Sequence, residues 1–281
     1  MAFAQQYRFA AAESVPLEKV GTAISLVLMG AIGAAILGPS LLIHSKNWII
    51  ATPYVGSLLV LAGFFLLSIL VLLGLQEHQI NQESETNAPQ RDLGIIIQNP
   101  VYKVAVLGGI VGYGVMTLIM TATPLSMHVI DGFPMQETVF VIRSHVLAMY
   151  APSLFSAYLI SKLGEPKMML IGSLAMTMTV IVGSLGHAMM HYWSTLVLLG
   201  LGWNLLYIGG TTLLTRCYTQ SERFKAQAVN EFSVFGVSAI SSLIAGPITH
   251  YYSWEILMII VIPVLLLMFL SLYQISHQQL Y

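Results

Sequence analysis

The chain has 281 residues, 57% of them hydrophobic and only 8% charged, with a formal net charge of −1. Soluble domains carry about 25% charged residues, so this composition excludes a water-covered globule, and the near-neutral balance argues against a nucleic-acid partner. A single cysteine, Cys217, excludes an internal disulfide, and eight scattered histidines without HExxH spacing give no reason to expect a metal, a cofactor or a catalytic group.

Residues 1–16, MAFAQQYRFAAAESVP, lack a basic stretch followed by an apolar core and so are not a signal peptide. They read as the tail of an element that begins earlier. A helix needs about 20 apolar residues to cross the hydrocarbon layer. Eight stretches qualify: 21–43, 52–75, 101–124, 139–161, 168–188, 191–213, 228–250 and 254–275. Runs this long exceed a strand and show no barrel-type alternation, which leaves helices. With these spans, Arg8, Lys19, Arg91, Lys103, Lys162, Lys167, Arg216, Arg223 and Lys225 fall on one side, and Lys46 and Arg143 on the other. That asymmetry predicts both termini in the cytoplasm. Trp48, Trp193 and Trp254 then sit at outer span ends, where interfacial aromatics belong.

Residues 76–100 contain the long polar stretch QEHQINQESETNAPQRD and read as a cytoplasmic linker. The predicted organisation is therefore a partial bundle at 1–75, the linker at 76–100 and a six-helix bundle at 101–281. A repeat supports it. Gly38-Pro39, His44 and Trp48 in and after the first span match Gly246-Pro247, His250 and Trp254 six spans later. Two six-helix halves joined by a long linker are the plan of the major facilitator superfamily.

Local sequence resembles that superfamily as well. GAIGAAILGP (30–39) resembles the fifth-helix motif of its drug/proton antiporter branch, although Leu42 and Ile43 stand where that motif has a glycine pair. YLISKLGEPKMM (158–169) resembles a degenerate second-half copy of its cytoplasmic loop motif: Gly164, Lys162 and Lys167 fit, and Ser161 replaces an aspartate. TATPLSMHVIDGF (121–133), HVLAMYAPSLFSAYLI (145–160) and GLGWNLLYIGGTTLLT (200–215) resemble bacterial permeases of the group. The resemblance implies an all-α polytopic bundle equivalent to helices 5–12 of a twelve-helix transporter, in a bacterial inner membrane. Implied too is passage of a small organic solute by alternating access, with proton-coupled efflux as one form. It implies no enzyme. On this reading about four spans precede the chain. The alternative is a truncated or split protein that does not transport alone and needs a missing N-terminal segment or a partner chain.

The resemblance places the third and sixth spans around a central cavity. Tyr113, Thr117 and Thr121 share one face of the third, and Asn204, Tyr207 and Thr211 share one face of the sixth. These six are the candidate cavity lining. Equally, such residues bond packed helices together. The second span is almost uniformly apolar and suits the lipid side. Glycines at 108, 109, 112 and 114 and at 200, 202, 209 and 210 suit close helix packing or, alternatively, bending. Pro124, Pro152 and Pro263 mark candidate kinks. Glu231 is the candidate for proton coupling or for an inner charge latch with Arg223 or Lys162. His145 either titrates or is a hydrogen-bonded structural histidine. Arg143 and Glu255 read as interfacial. Gly38, Pro39, Gly164, Gly246 and Pro247 are the motif positions with a structural role.

Overall fold

The computed structural model describes residues 2–49, 52, 54–74 and 91–277. Among these every regular element is helical: α1 (Ala2–Glu13), α2 (Val20–Ser45), α3 (Val55–Leu73), α4 (Leu93–Gln98), α5 (Pro100–Pro124), α6 (Met135–Tyr150), α7 (Ser153–Leu163), α8 (Glu165–Gly183), α9 (Met189–Thr215), α10 (Arg223–Tyr251) and α11 (Trp254–His277). Among the described residues seven helices are long and apolar enough to cross a membrane, and α6 with α7, bent by 41°, gives an eighth when the pair is counted as one span. These are the eight stretches predicted from hydropathy. Residues 76–90 of the predicted linker lie outside the described residues, and most of the rest of it forms α4.

Local chemistry sets the helix ends. The Asp92 side chain accepts from the Gly94 N–H at the start of α4, and the Asn99 side chain accepts from Val101 N–H at 2.9 Å at the start of α5. Pro100 supplies the first residue of α5, where its missing N–H costs nothing. α7 stops at Gly164, whose φ of +78° is costly for any other residue, and Pro166 opens α8. Pro124 closes α5 into a π-helical turn, Leu125–Ile130. Pro263 and both Gly-Pro pairs, by contrast, lie inside continuous helices.

α9 is the hub, packed by α5, α6 and α8, with α10 on α5 and α11 against α8 and α5. Glycine permits the closest approaches. A Cβ on Gly172 would lie 3.0 Å from the Gly202 carbonyl oxygen, and one on Gly200 would lie 2.7 Å from the His145 carbonyl oxygen. α2 crosses to α6 and α7, while α3 packs on α2 with only Gly56 and Ser57 buried. An apolar helix with its side chains outward suits lipid, as its sequence predicted.

The bend between α6 and α7 has a specific support. Pro152 cannot donate to the preceding turn. Asn204 of α9, fully buried, fills the gap: its Nδ2 donates to the Met149 carbonyl at 2.7 Å and to Ser153 Oγ at 2.8 Å, and its Oδ1 accepts from Ser156 Oγ at 3.0 Å.

Candidate functional site

Where α5, α9 and α10 meet, aromatic rings gather. Trp203 and Tyr207, one helical turn apart on α9, stack at 4.8 Å with 19° between planes. Tyr113 of α5 meets both edge-on, at 5.3 and 5.1 Å, and meets Phe235 of α10 at 5.3 Å. Tyr150, at the end of α6, closes on Trp203 at 5.7 Å. Edge-to-face and offset contacts of this kind are the favourable ring geometries.

Arg8 of α1 lies on this cluster. Its guanidinium sits 4.1 Å above the Tyr207 ring and 4.5 Å from that of Phe9, and it pairs with the Glu231 carboxylate of α10. Asn230 Nδ2 donates to the same carboxylate oxygen at 2.9 Å. The Arg8 side chain is 2% exposed and that of Glu231 13%. A charge buried this deeply needs its counter-charge. Arg8 Nε and Nη1, Glu231 Oε2 and Trp203 Nε1 are buried without a hydrogen-bond partner in the protein. The site therefore combines ring faces with unused donors and an acceptor. Nearer the end of α1 a second pair ties the same two helices: Glu13 accepts from Arg223 at 2.9 Å and from Gln227 at 2.7 Å.

These pairings correct the predicted latch. Glu231 pairs with neither Arg223 nor Lys162. Arg223 is taken by Glu13, and exposed Lys162 lies 6.0 Å from the Tyr158 ring. Arg8, grouped with the loop cations from sequence, is inside the bundle. Its neighbourhood explains why: aromatic faces and a carboxylate compensate it where water does not.

The other predicted positions are divided. Tyr113 and Tyr207 belong to the aromatic cluster. Thr117 hydrogen-bonds Ser238 of α10 at 2.8 Å, and Thr121, nearer the C-terminal end of α5, is exposed. Asn204 supports the α6–α7 bend, and Thr211 is buried. His145 is buried, its Nδ1 2.7 Å from the Leu196 carbonyl oxygen. A Cβ added at Gly38 or Gly246 would meet nothing within 4 Å, so neither permits a close approach here. Beyond Ser161, the carboxylate that matters in the 158–169 turn is Glu165, paired with Arg216 at the C-cap of α9 at 2.6 Å. Sequence reasoning missed Trp203, Phe235 and Arg8. Trp203 had a signal, its i, i+4 spacing from Tyr207.

The family model of the Major Facilitator Superfamily matches residues 7–205 and, in a second match, 138–279. The chain belongs to the major facilitator superfamily. Its members are membrane transporters rather than enzymes, in keeping with the fold expected from sequence. The transporter is 35% identical over 271 residues to the riboflavin transporter RfnT of Brucella anthropi, a match covering 96% of this chain and 68% of that protein. It is 27% and 25% identical to two uncharacterized MFS-type transporters of Bacillus subtilis, YddS and YdeG. Those matches cover 92% and 91% of this chain and 63% of each relative, so the transporter spans about two thirds of the length of the relatives it matches.

At the opposite end of the superfamily bundle a second polar cluster joins three elements. His187, between α8 and α9, places Nδ1 2.8 Å from Asp131 after the π turn and Nε2 2.6 Å from Glu255 at the start of α11. Tyr192 of α9 donates to Asp131 at 2.7 Å and lies 2.6 Å from Ser126 Oγ. The hydrogen bond to Glu255, reinforced by Asp131, raises the His187 imidazole above its ordinary value of 6.5. A raised pKa means that the stabilisation is fully present below that ordinary value and is lost as pH rises through the raised one. The thermal unfolding midpoint should therefore fall as pH rises above the ordinary histidine value and through the raised one of His187. His187→Gln should flatten that slope, and an unchanged slope in the variant would refute the assignment.

Proposed function

We propose that this protein carries a flat heteroaromatic solute of the riboflavin kind across the membrane by alternating access. The observation that carries the proposal is the Tyr113–Trp203–Tyr207 cluster with Arg8 and Glu231 against it. Ring faces stack a planar heterocycle, and the unused Arg8 and Trp203 N–H groups and Glu231 oxygen meet its carbonyl and imide edge. The similarity to a riboflavin transporter across nearly the whole chain supports the same class.

In this reading the Arg8–Glu231 and Glu13–Arg223 pairs close one end of the site and must part for it to open there. Protonation of Glu231 would loosen the first, a route to proton coupling. The distribution of basic residues supports a bacterial inner-membrane orientation with both termini cytoplasmic. The α2 run resembling the antiporter motif favours efflux as the direction to test beside uptake.

Flavin stacking on tryptophan or tyrosine quenches flavin fluorescence, so binding can be read directly. Titrating purified protein into riboflavin should give saturable quenching. Trp203→Ala and Tyr207→Ala should each weaken it by about 5- to 150-fold, as loss of about 1–3 kcal/mol of ring stacking implies. No saturable quenching by a folded wild-type protein would overturn the riboflavin-like reading.

A further inference from the structure

At the bundle end where α5 and α8 begin, four arginines are matched by carboxylates: Arg8 by Glu231, Arg91 by Glu222, Arg216 by Glu165 and Arg223 by Glu13. Of the lysines at that end, two stand beside α11. Lys103 in the first turn of α5 and Lys167 in the first turn of α8 are exposed, and among the described residues neither has a carboxylate within ion-pair distance. Each stands on the wall of a crevice beside α11.

The crevice between α5 and α11 has a volume of about 430 Å³ and runs from Lys103 past Leu107 and Ile110, with Ser271 and Gln274 on the α11 side. The crevice between α8 and α11 has about 380 Å³ and runs from Lys167 past Leu170, with Phe269 and Tyr273 on the α11 side. Helical spacing puts Ser271, Gln274 and Ile275 on one side of α11 and Phe269, Leu272 and Ser276 on the other. The exposed ridge of Leu266, Leu267 and Leu270 runs between them. Two apolar grooves thus flank one lipid-facing ridge, and each has a cation at the same end.

We infer that the two crevices form a paired site for an anionic phospholipid, its phosphate held by Lys103 and Lys167 and its acyl chains lying in the grooves beside α11. Charge complementarity selects this occupant. Among the described residues neither lysine is matched by a carboxylate, and both belong to helix N-termini, where the backbone dipole adds positive potential. In the proposed site the phosphate bridges the two ammonium groups across the end of α11, while the groove walls beyond offer apolar surface. A zwitterionic lipid would fill the grooves without the charge match, and inorganic phosphate would have no use for their apolar walls. Basic pockets between spanning helices hold anionic headgroups in this way. On the orientation proposed above, the lipid belongs to the cytoplasmic leaflet, and it would fasten α11 to α5 and α8.

The test uses the purified full chain in neutral detergent. Phosphatidylglycerol, phosphatidylcholine and inorganic phosphate are titrated separately, with the thermal midpoint as readout and native mass spectrometry counting bound lipid. Phosphatidylglycerol should raise the midpoint saturably, and the other two should not. Lys103→Gln and Lys167→Gln should each weaken the phosphatidylglycerol response about fivefold, and the double variant about 25-fold. Lys46→Gln, at the opposite end beside Tyr54, should leave it unchanged. Both targeted lysines are exposed, so the variants should fold, and their lipid-free midpoints check this. An equal response to phosphatidylcholine would mean that the grooves only accept chains. A response to inorganic phosphate would mean a free-anion site. An undiminished response in the double variant would remove the lysines from the site. Each of these overturns the inference.

Discussion

Glu231→Ala is expected to be among the most destabilising single substitutions in this transporter, lowering its stability by about 3–5 kcal/mol. The reason is the partner left behind. Arg8 is 2% exposed, its guanidinium lies over the Tyr207 ring, and Glu231 is its only carboxylate partner among the described residues. Without Glu231 an uncompensated cation remains in the bundle. Arg8→Met should cost less, because Glu231 is 13% exposed and keeps its hydrogen bond from Asn230. Replacing the pair together, Arg8→Met with Glu231→Leu, should recover most of the loss, since apolar residues of similar volume often match a buried ion pair. The double variant should nevertheless lose riboflavin quenching, because the polar edge of the proposed site is gone. The chain carries its own reporter. Cys217 is the single cysteine and is buried, and burial pushes its thiol up to about 12. A thiol-reactive dye should therefore label it only as the protein unfolds. Equal midpoints for Glu231→Ala and the wild type would show that the pair is not formed.

Much of the fold was legible because hydropathy is a one-dimensional signal. A membrane span must be long and apolar, so its position can be read without knowing its neighbours. The burial of α5 and α9 and the exposure of α3 were legible for a related reason: a polar stripe needs protein or water beside it, and a uniform apolar surface does not. What could not be read was pairing. Arg8 and Glu231 are 223 residues apart, and nothing along the chain says that α1 lies against α10. With Arg8 counted among the cations of one membrane side, Arg223 or Lys162 read as the partner for Glu231, whereas Glu231 pairs with Arg8. Asn204 shows the same limit from another side. Its spacing with Tyr207 put both on one face, but a 3.6-residue helix separates positions three apart by about 60°. That is enough to turn one toward the α6–α7 bend and the other toward the aromatic cluster. Phe235 was equally hidden, because nothing along the chain tells which ring it meets, while Trp203 showed only in its i, i+4 spacing from Tyr207.

Gly200→Ala is the second substitution expected to have a large effect, and its contrast with Gly246→Ala separates two reasons for glycine in a membrane helix. A Cβ at position 200 would lie 2.7 Å from the His145 carbonyl oxygen, 2.9 Å from Met149 N and 3.0 Å from the Ala148 Cβ. The first two are backbone atoms of α6 and cannot rotate away. α9 and α6 must move apart, at about 1–3 kcal/mol for an overpacked interface. The movement reaches farther than the methyl group, because Asn204 lies one turn along the same face. Its bonds to Met149, Ser153 and Ser156 hold the bend at Pro152, and displacing α9 stretches all three. Gly200→Ala should therefore lower the midpoint and make the α6–α7 junction more open to hydrogen exchange. At Gly246 no atom lies within 4 Å of an added Cβ. There the helix should gain up to about 1 kcal/mol from alanine's better propensity. Equal and small shifts at both positions would mean that α6 and α9 do not touch through Gly200.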